Sequence, residues 1–371
     1  MKKIFLCAAV IILICFLFSA RCHAAALDDL EDSLSDLREN VSDDVWERME
    51  AFGYDGNIAS GGVSLRGIFS QLGDEIRAGL SGPLSSCAVI IGVILLSSLL
   101  EGYTHSLRYT ETKDIMAAVT SLMIATALIS ALVSLIERAV AVISDASSLM
   151  LVYVPVMIGI LSFSGHAVQA GGSCALVMTA SQVIARLTAS FIPRLLCSYL
   201  ALSIASGVSG RVKLKGICEM LGRFMRWTLT FMMTLFAAVL SLQSVITRAG
   251  DSVANRAVRY TLSSLIPFIG SAVSEAYQTI QGSADLLRSG AGVFVILAVI
   301  AVFLPILVQA VLWLLSVNLS KYAAGALEVT APAELLSSVG TVMSVLIALV
   351  VSVMTVFVIS TAALIRVGGS S

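Results

Sequence analysis

Charge is what this chain most lacks. Of its 371 residues only 13% are Asp, Glu, Lys or Arg, against 58% hydrophobic residues, and the mean hydropathy is +0.96. A soluble domain carries about 25% charged residues, so there is too little polar surface here to coat a globule in water. Histidine is scarce too, with three in the whole chain. No HExxH, Cys/His ligand set, GxxxxGK[ST] or pair of carboxylates on one helix face is present, so metal chemistry and nucleotide hydrolysis have no residues to work with. The serines are many, but no His or Lys is spaced to activate one, and in a membrane bundle serine serves close helix approach. We therefore expect no catalytic, cofactor-binding or metal-binding residues and no enzymatic activity. Basic residues are scattered through apolar sequence instead of forming an exposed stripe, which argues against nucleic-acid binding. Seven cysteines occur without CxxC spacing. Cys7, Cys15 and Cys22 belong to the N-terminal segment, and Cys87, Cys174, Cys197 and Cys218 sit among apolar neighbours, where free cysteine packs as a small hydrophobe.

What is present begins with a secretory layout. Lys2 and Lys3 precede an apolar run over 4–18 and small-residue cleavage positions near Ala24 and Ala26, which reads as a signal peptide over 1–26, with an uncleaved anchor as the alternative. Residues 27–82 then hold 13 of the 24 acidic residues against Arg38, Arg48, Arg66 and Arg77. Leu27, Leu30, Leu34, Leu37 and Val41 form one apolar stripe at helical spacing; Leu65, Ile68, Phe69, Leu72, Ile76 and Leu80 form another. These predict a small acidic helical ectodomain whose stripes bury against each other, a partner, the membrane surface or the chain's own membrane domain.

From 83 to 371 the chain reads as a helical transmembrane domain with an internal repeat. Five of the six prolines fall into two series, Pro83, Pro193 and Pro305, with Pro155 and Pro267 between them, at spacings of about 110 residues. Each member of the first series opens an apolar helix that turns through a polar loop and returns. A bilayer core about 30 Å thick needs about 20 apolar residues, which predicts six spans at 83–100, 115–136, 193–210, 227–247, 295–319 and 338–362. Between them, Pro155 with Gly159 and Pro267 with Gly270 predict helices that enter, break and turn back, since irregular backbone at membrane depth is tolerated only where protein or water satisfies it. If 146–163 and 172–192 each cross fully, the count is eight. The fold class is all-α: a polytopic membrane protein of repeated helical hairpins, with six to eight spans and Pro/Gly-broken re-entrant linkers.

Orientation follows from the leader, which places 27–82 outside the cytoplasm. The loop over 211–226 is then inside, and its Arg211, Lys213, Lys215, Arg223 and Arg226 against Glu219 agree with the positive-inside rule.

The candidate functional residues are polar or backbone-breaking groups at membrane depth: Pro155, Gly159, Arg186, Arg194, Pro267, Gly270 and Gln309. Arg186 and Arg194 have two readings, a basic lining for a conduit or snorkelling to an interface at a helix end. Glu137, Arg138 and Asp145 read as a water boundary, and Gln243, Gln309 and Asn318 as interhelical hydrogen bonds or pore-facing groups. The abundant small residues fit close contact within one subunit or between copies, and a homo-oligomer is expected. Three functions stay open on the residues alone: a pore or its membrane platform, a stand-alone secondary transporter for a small solute, or a non-conducting scaffold.

The signal peptide, the acidic helical ectodomain, the multi-span region and the segment RYTLSSLIPFIGSAVSEAYQTIQGSADLLRSGAGVFVILAVIAVFLPILVQAVLWLL together resemble the stage III sporulation protein AE family of endospore-forming bacteria. The resemblance implies a multi-pass protein of the mother-cell membrane facing the engulfed forespore. It implies partners as well: other stage III A operon proteins and a forespore channel protein, joined in a transenvelope channel or secretion-like complex. It supplies no catalytic residues.

Overall fold

The computed structural model describes residues 41–52, 54, 65–106, 110–163, 167–208, 215–265 and 270–366, and every regular element among them is an α-helix. In chain order these are α1 (Asp43–Ala51), α2 (Leu65–Gly79), α3 (Ser81–Ser106), α4 (Thr110–Phe163), α5 (Ala167–Val208), α6 (Lys215–Leu265), α7 (Gly270–Ala326) and α8 (Thr330–Arg366). The leader and the stripe over 27–37 lie outside the described residues. Six helices carry stretches long and apolar enough to cross a bilayer: Ser81–Gly102, Ile115–Leu161, Cys174–Gly207, Gly216–Gln243, Ser289–Ala326 and Thr330–Arg366.

The helices are longer than the expected spans. At 1.5 Å per residue, the 54 residues of α4 reach about 80 Å, more than twice a bilayer core. The expected break at Pro155 and Gly159 is not where α4 ends, for the helix runs through both to Phe163. In the same way α5 continues through Pro193, and α7 through Pro305. Segments 146–163 and 172–192 are therefore continuations of α4 and α5 and not separate crossings. The physical reason is that a proline removes one backbone hydrogen bond but leaves the turns on either side intact, and neighbouring helices in a bundle hold the kinked segment in place. Charged residues stop helices even less. Glu137, Arg138 and Asp145 all lie exposed on the surface of an unbroken α4. Farther along, α6 stops at Leu265 and α7 starts at Gly270, while Pro267 lies outside the described residues.

The turn between α7 and α8 is closed by backbone hydrogen bonds. Glu328 N–H donates to the Gly325 carbonyl at 3.2 Å and Val329 N–H to the Ala324 carbonyl at 3.1 Å, the paired bonds of a Schellman cap. This closure puts Glu328 in the left-handed region at φ 57°, where a glycine would sit without steric cost. The next helix starts at Thr330, with Pro332 in its first turn, where a missing N–H costs nothing.

The α7–α8 hairpin forms the centre of the bundle. Phe294, Val295, Ala298, Phe303, Leu346, Leu349 and Phe357 are fully buried in it. Both α4 and α5 pack against α8, while α3 and α6 lie at the periphery. Side-chain hydrogen bonds fix the registers: Ser316 Oγ donates to the Pro83 carbonyl at 2.7 Å, Thr120 Oγ1 to Ser97 Oγ at 2.8 Å and Gln182 Nε2 to the Ser147 carbonyl at 2.8 Å. Cys87, Cys174 and Cys218 are buried as free thiols and Cys197 is exposed.

The two short N-terminal helices dock on α7. Met49 and Phe52 of the α1 region are fully buried, and Trp46 and Tyr54 place their rings 5.4 and 5.6 Å from that of Phe294. A salt bridge from Arg48 Nε to Glu75 Oε1 at 3.3 Å joins α1 to α2. The α2 stripe behaves differently. Phe69, Ile76 and Leu80 are exposed, and the same outward line continues to Leu84 of α3, which suits a surface met by lipid or another protein.

Candidate functional site

Polar groups near the middle of the long helices gather into a belt across α4, α5 and α7. Arg138 Nη1 of α4 donates to Gln309 Oε1 of α7 at 3.3 Å. Gln309 is thus an interhelical partner of Arg138 at a half-buried position. An amide acceptor inside an apolar helix satisfies the guanidinium without a second charge.

The α4–α5 register set by Gln182 and Ser147 brings two acids level with two arginines. These helices run antiparallel, so Asp145 comes within about one turn of Arg186, and Glu137 within about one turn of Arg194. All four ionisable groups are exposed at the surface of the chain. Among the described residues they do not close into ion pairs, and the salt bridge recorded is Arg48 with Glu75. Such a belt is stable in water or against a polar partner and costly against lipid, where a central arginine costs about 2.5–3.5 kcal/mol on insertion scales.

The other expected site residues are not drawn into the belt. Pro155 is exposed and Gly159 half-buried, both farther along α4. Gly270 is the first residue of α7, and Pro267 lies outside the described residues. Sequence reasoning missed Arg138 as the partner of Gln309 and Gln182 as the residue that fixes the α4–α5 register. Gln182 gave a signal, being an amide in a charge-free run; Arg138 gave one only as part of an expected water boundary.

The geometry is that of a multi-pass helical bundle, and the comparisons with known proteins carry the identification further. The model of the family described as "Stage III sporulation protein AE" matches residues 55–368. The chain belongs to the stage III sporulation protein AE family. Within that family it is 25% identical over 243 residues to the stage III sporulation protein AE of Bacillus subtilis (strain 168), an alignment covering 64% of this chain and 59% of that protein. The chain thus matches less than two thirds of the length of that relative. No solved structure matches the chain. Six long apolar helices fit a multi-pass membrane member of this sporulation family, and neither matched name describes an enzyme.

Proposed function

We propose that the chain is the membrane platform of a transenvelope complex between mother cell and forespore, and that any pore it helps form lies between chains and not through one. The family match over 55–368 carries the sporulation part of this reading. The filled centre supports the rest. Bulky side chains of α7 and α8 occupy the bundle axis, leaving the exposed acid–arginine levels on α4 and α5 to face water or partner subunits. The first 26 residues serve as the leader, and the acidic segment after them lies outside the cytoplasm, available to the other sporulation proteins. A repeat of about 110 residues, read from Pro83, Pro193 and Pro305 with Pro155 and Pro267 between them, supports a bundle built from recurring helical hairpins.

A deletion of the gene in its own organism tests the sporulation role. Heat-resistant spores should be lost and restored by the intact chain, whereas unchanged spore yield would refute it. A stand-alone transporter is the rival, favoured by the repeated hairpins. It requires solute uptake by vesicles holding this chain alone, which the platform reading does not.

A further inference from the structure

The flanks of the bundle carry large apolar side chains on the outside, as lipid requires: Leu96 and Leu99 on α3, Trp227 and Leu235 on α6 are exposed. The face made by α4 and α5 differs. Over 130–150 of α4 and 192–207 of α5 no large hydrophobic residue is exposed. What stands outward there is small or charged. Ala141 and Ser148 share the exposed side of α4 with Glu137, and Ser198 and Ala201 share that of α5 with Arg194, each at helical spacing. Small side chains let helix backbones approach closely. The Ser148 and Ser198 hydroxyls already donate to carbonyls one turn back, at 3.1 and 3.0 Å. The face therefore asks for packing and for opposite charge.

The charges are arranged to supply it. From the Gln182–Ser147 bond, Arg194 lies twelve residues along α5 and Glu137 ten residues back along α4, a difference in height of about 3 Å at 1.5 Å per residue. Asp145 and Arg186 repeat the match about two turns farther along. No ion pair joins Glu137 to Arg194 within the chain. Against lipid each charge is costly.

A second copy of the same chain satisfies them. A two-fold rotation about an axis parallel to the helices leaves every height unchanged and sets α4 of one copy opposite α5 of the other. Glu137 of each then meets Arg194 of the other, and the small residues around them allow the helices to close. The face is complementary to itself, whereas a different protein would need no such match between two helices of one chain.

We propose that the α4–α5 face is a two-fold interface between copies of this chain, closed by Glu137 of each on Arg194 of the other. The platform reading supplies the premise that the belt meets other subunits. Dye release by single copies would sink that premise, whereas the assay for the interface reads only whether copies associate: energy transfer between full-length chains labelled at the C-terminus, in liposomes over a range of protein-to-lipid ratios. Dimers are expected. Glu137→Arg and Arg194→Glu should each weaken association by about a hundredfold or more, because like charges then face each other. The chain carrying both changes should recover it, since acid and base have only exchanged places. Ala201→Leu should weaken association several-fold by holding the helices apart, and Leu96→Ala on α3 should leave it unchanged. All these positions are exposed, so helix content by circular dichroism should stay that of the wild type and any loss reads on the interface. Wild-type copies that remain monomeric at every ratio would give the face to a different protein or to water and overturn the proposal. So would single charge variants that associate as before, or a double variant that stays apart.

Discussion

Helices α7 and α6 are both apolar enough to cross a bilayer, yet their surroundings are opposite. More than half of the spanning stretch of α7 is buried within the chain, against about a sixth of that of α6. The aromatic rings follow suit. Phe294 and Phe303 of α7 are fully buried, with Phe303 6.5 Å from Phe357 of α8. On α6, Phe224, Trp227 and Phe231 form a stacked ladder on the outside, with ring centroids 6.2 and 5.5 Å apart.

Composition explains the difference. The apolar residues of α7 run all round the helix, which suits a central position. Helix α6 has three strips at 100° per residue. Cys218, Met225, Leu229 and Phe236 face the bundle; Met220, Phe224, Trp227 and Phe231 form the outer apolar strip; Arg223, Thr230, Thr234 and Ser241 form an outer polar one. Since lipid tails give no hydrophobic reason to prefer the bundle interior, association rests on packing and hydrogen bonds. In the polar strip of α6, Thr230 and Thr234 are already bonded to carbonyls one turn back at 3.0 and 2.9 Å, so Arg223 is the group that calls for water or a polar partner.

The contrast can be broken by truncating a ring in each region. Phe303→Ala should cost about 3 kcal/mol or more through the cavity it leaves, while Trp227→Ala should cost under about 1 kcal/mol; unfolding titrations in detergent micelles would show both. Comparable losses at the two sites would mean that α6 is covered as fully as α7. Overfilling the centre comes next in size. A Cβ at Gly292 meets the side chain of Ile365, so Gly292→Val should cost about 1–3 kcal/mol, whereas Gly216→Val on α6, open at its Cβ, should leave the unfolding midpoint nearly unmoved. The bond fixing the α4–α5 register is smaller still: Gln182→Ala should lose about 0.6–1.7 kcal/mol, read from the same titrations. Glu328→Gly should act in the other direction, raising stability by about 0.5–1 kcal/mol through relief of the left-handed residue that closes the central hairpin.

The sequence made the helices, their apolar faces and the hairpin order legible, because periodicity and span length are local properties. Ser81–Gly102 matches its expected span closely. The long continuations were not legible. Glu137 and Asp145 read as a water boundary because charge is costly in lipid, Pro155 as a break and Pro193 as a helix start because proline interrupts isolated helices, yet neither rule bears on helices packed against three or four neighbours. The Arg138–Gln309 bond joins residues 171 positions apart. Pairings of that kind depend on packing, which no stretch of the chain records by itself.

Dye release from liposomes carrying a single copy of the chain per vesicle tests the platform reading most directly, with size-graded dyes and a known pore for comparison. A filled α7–α8 centre predicts that every dye is retained at one copy per vesicle. Size-limited release by verified single copies would contradict it and place the conduit within the chain.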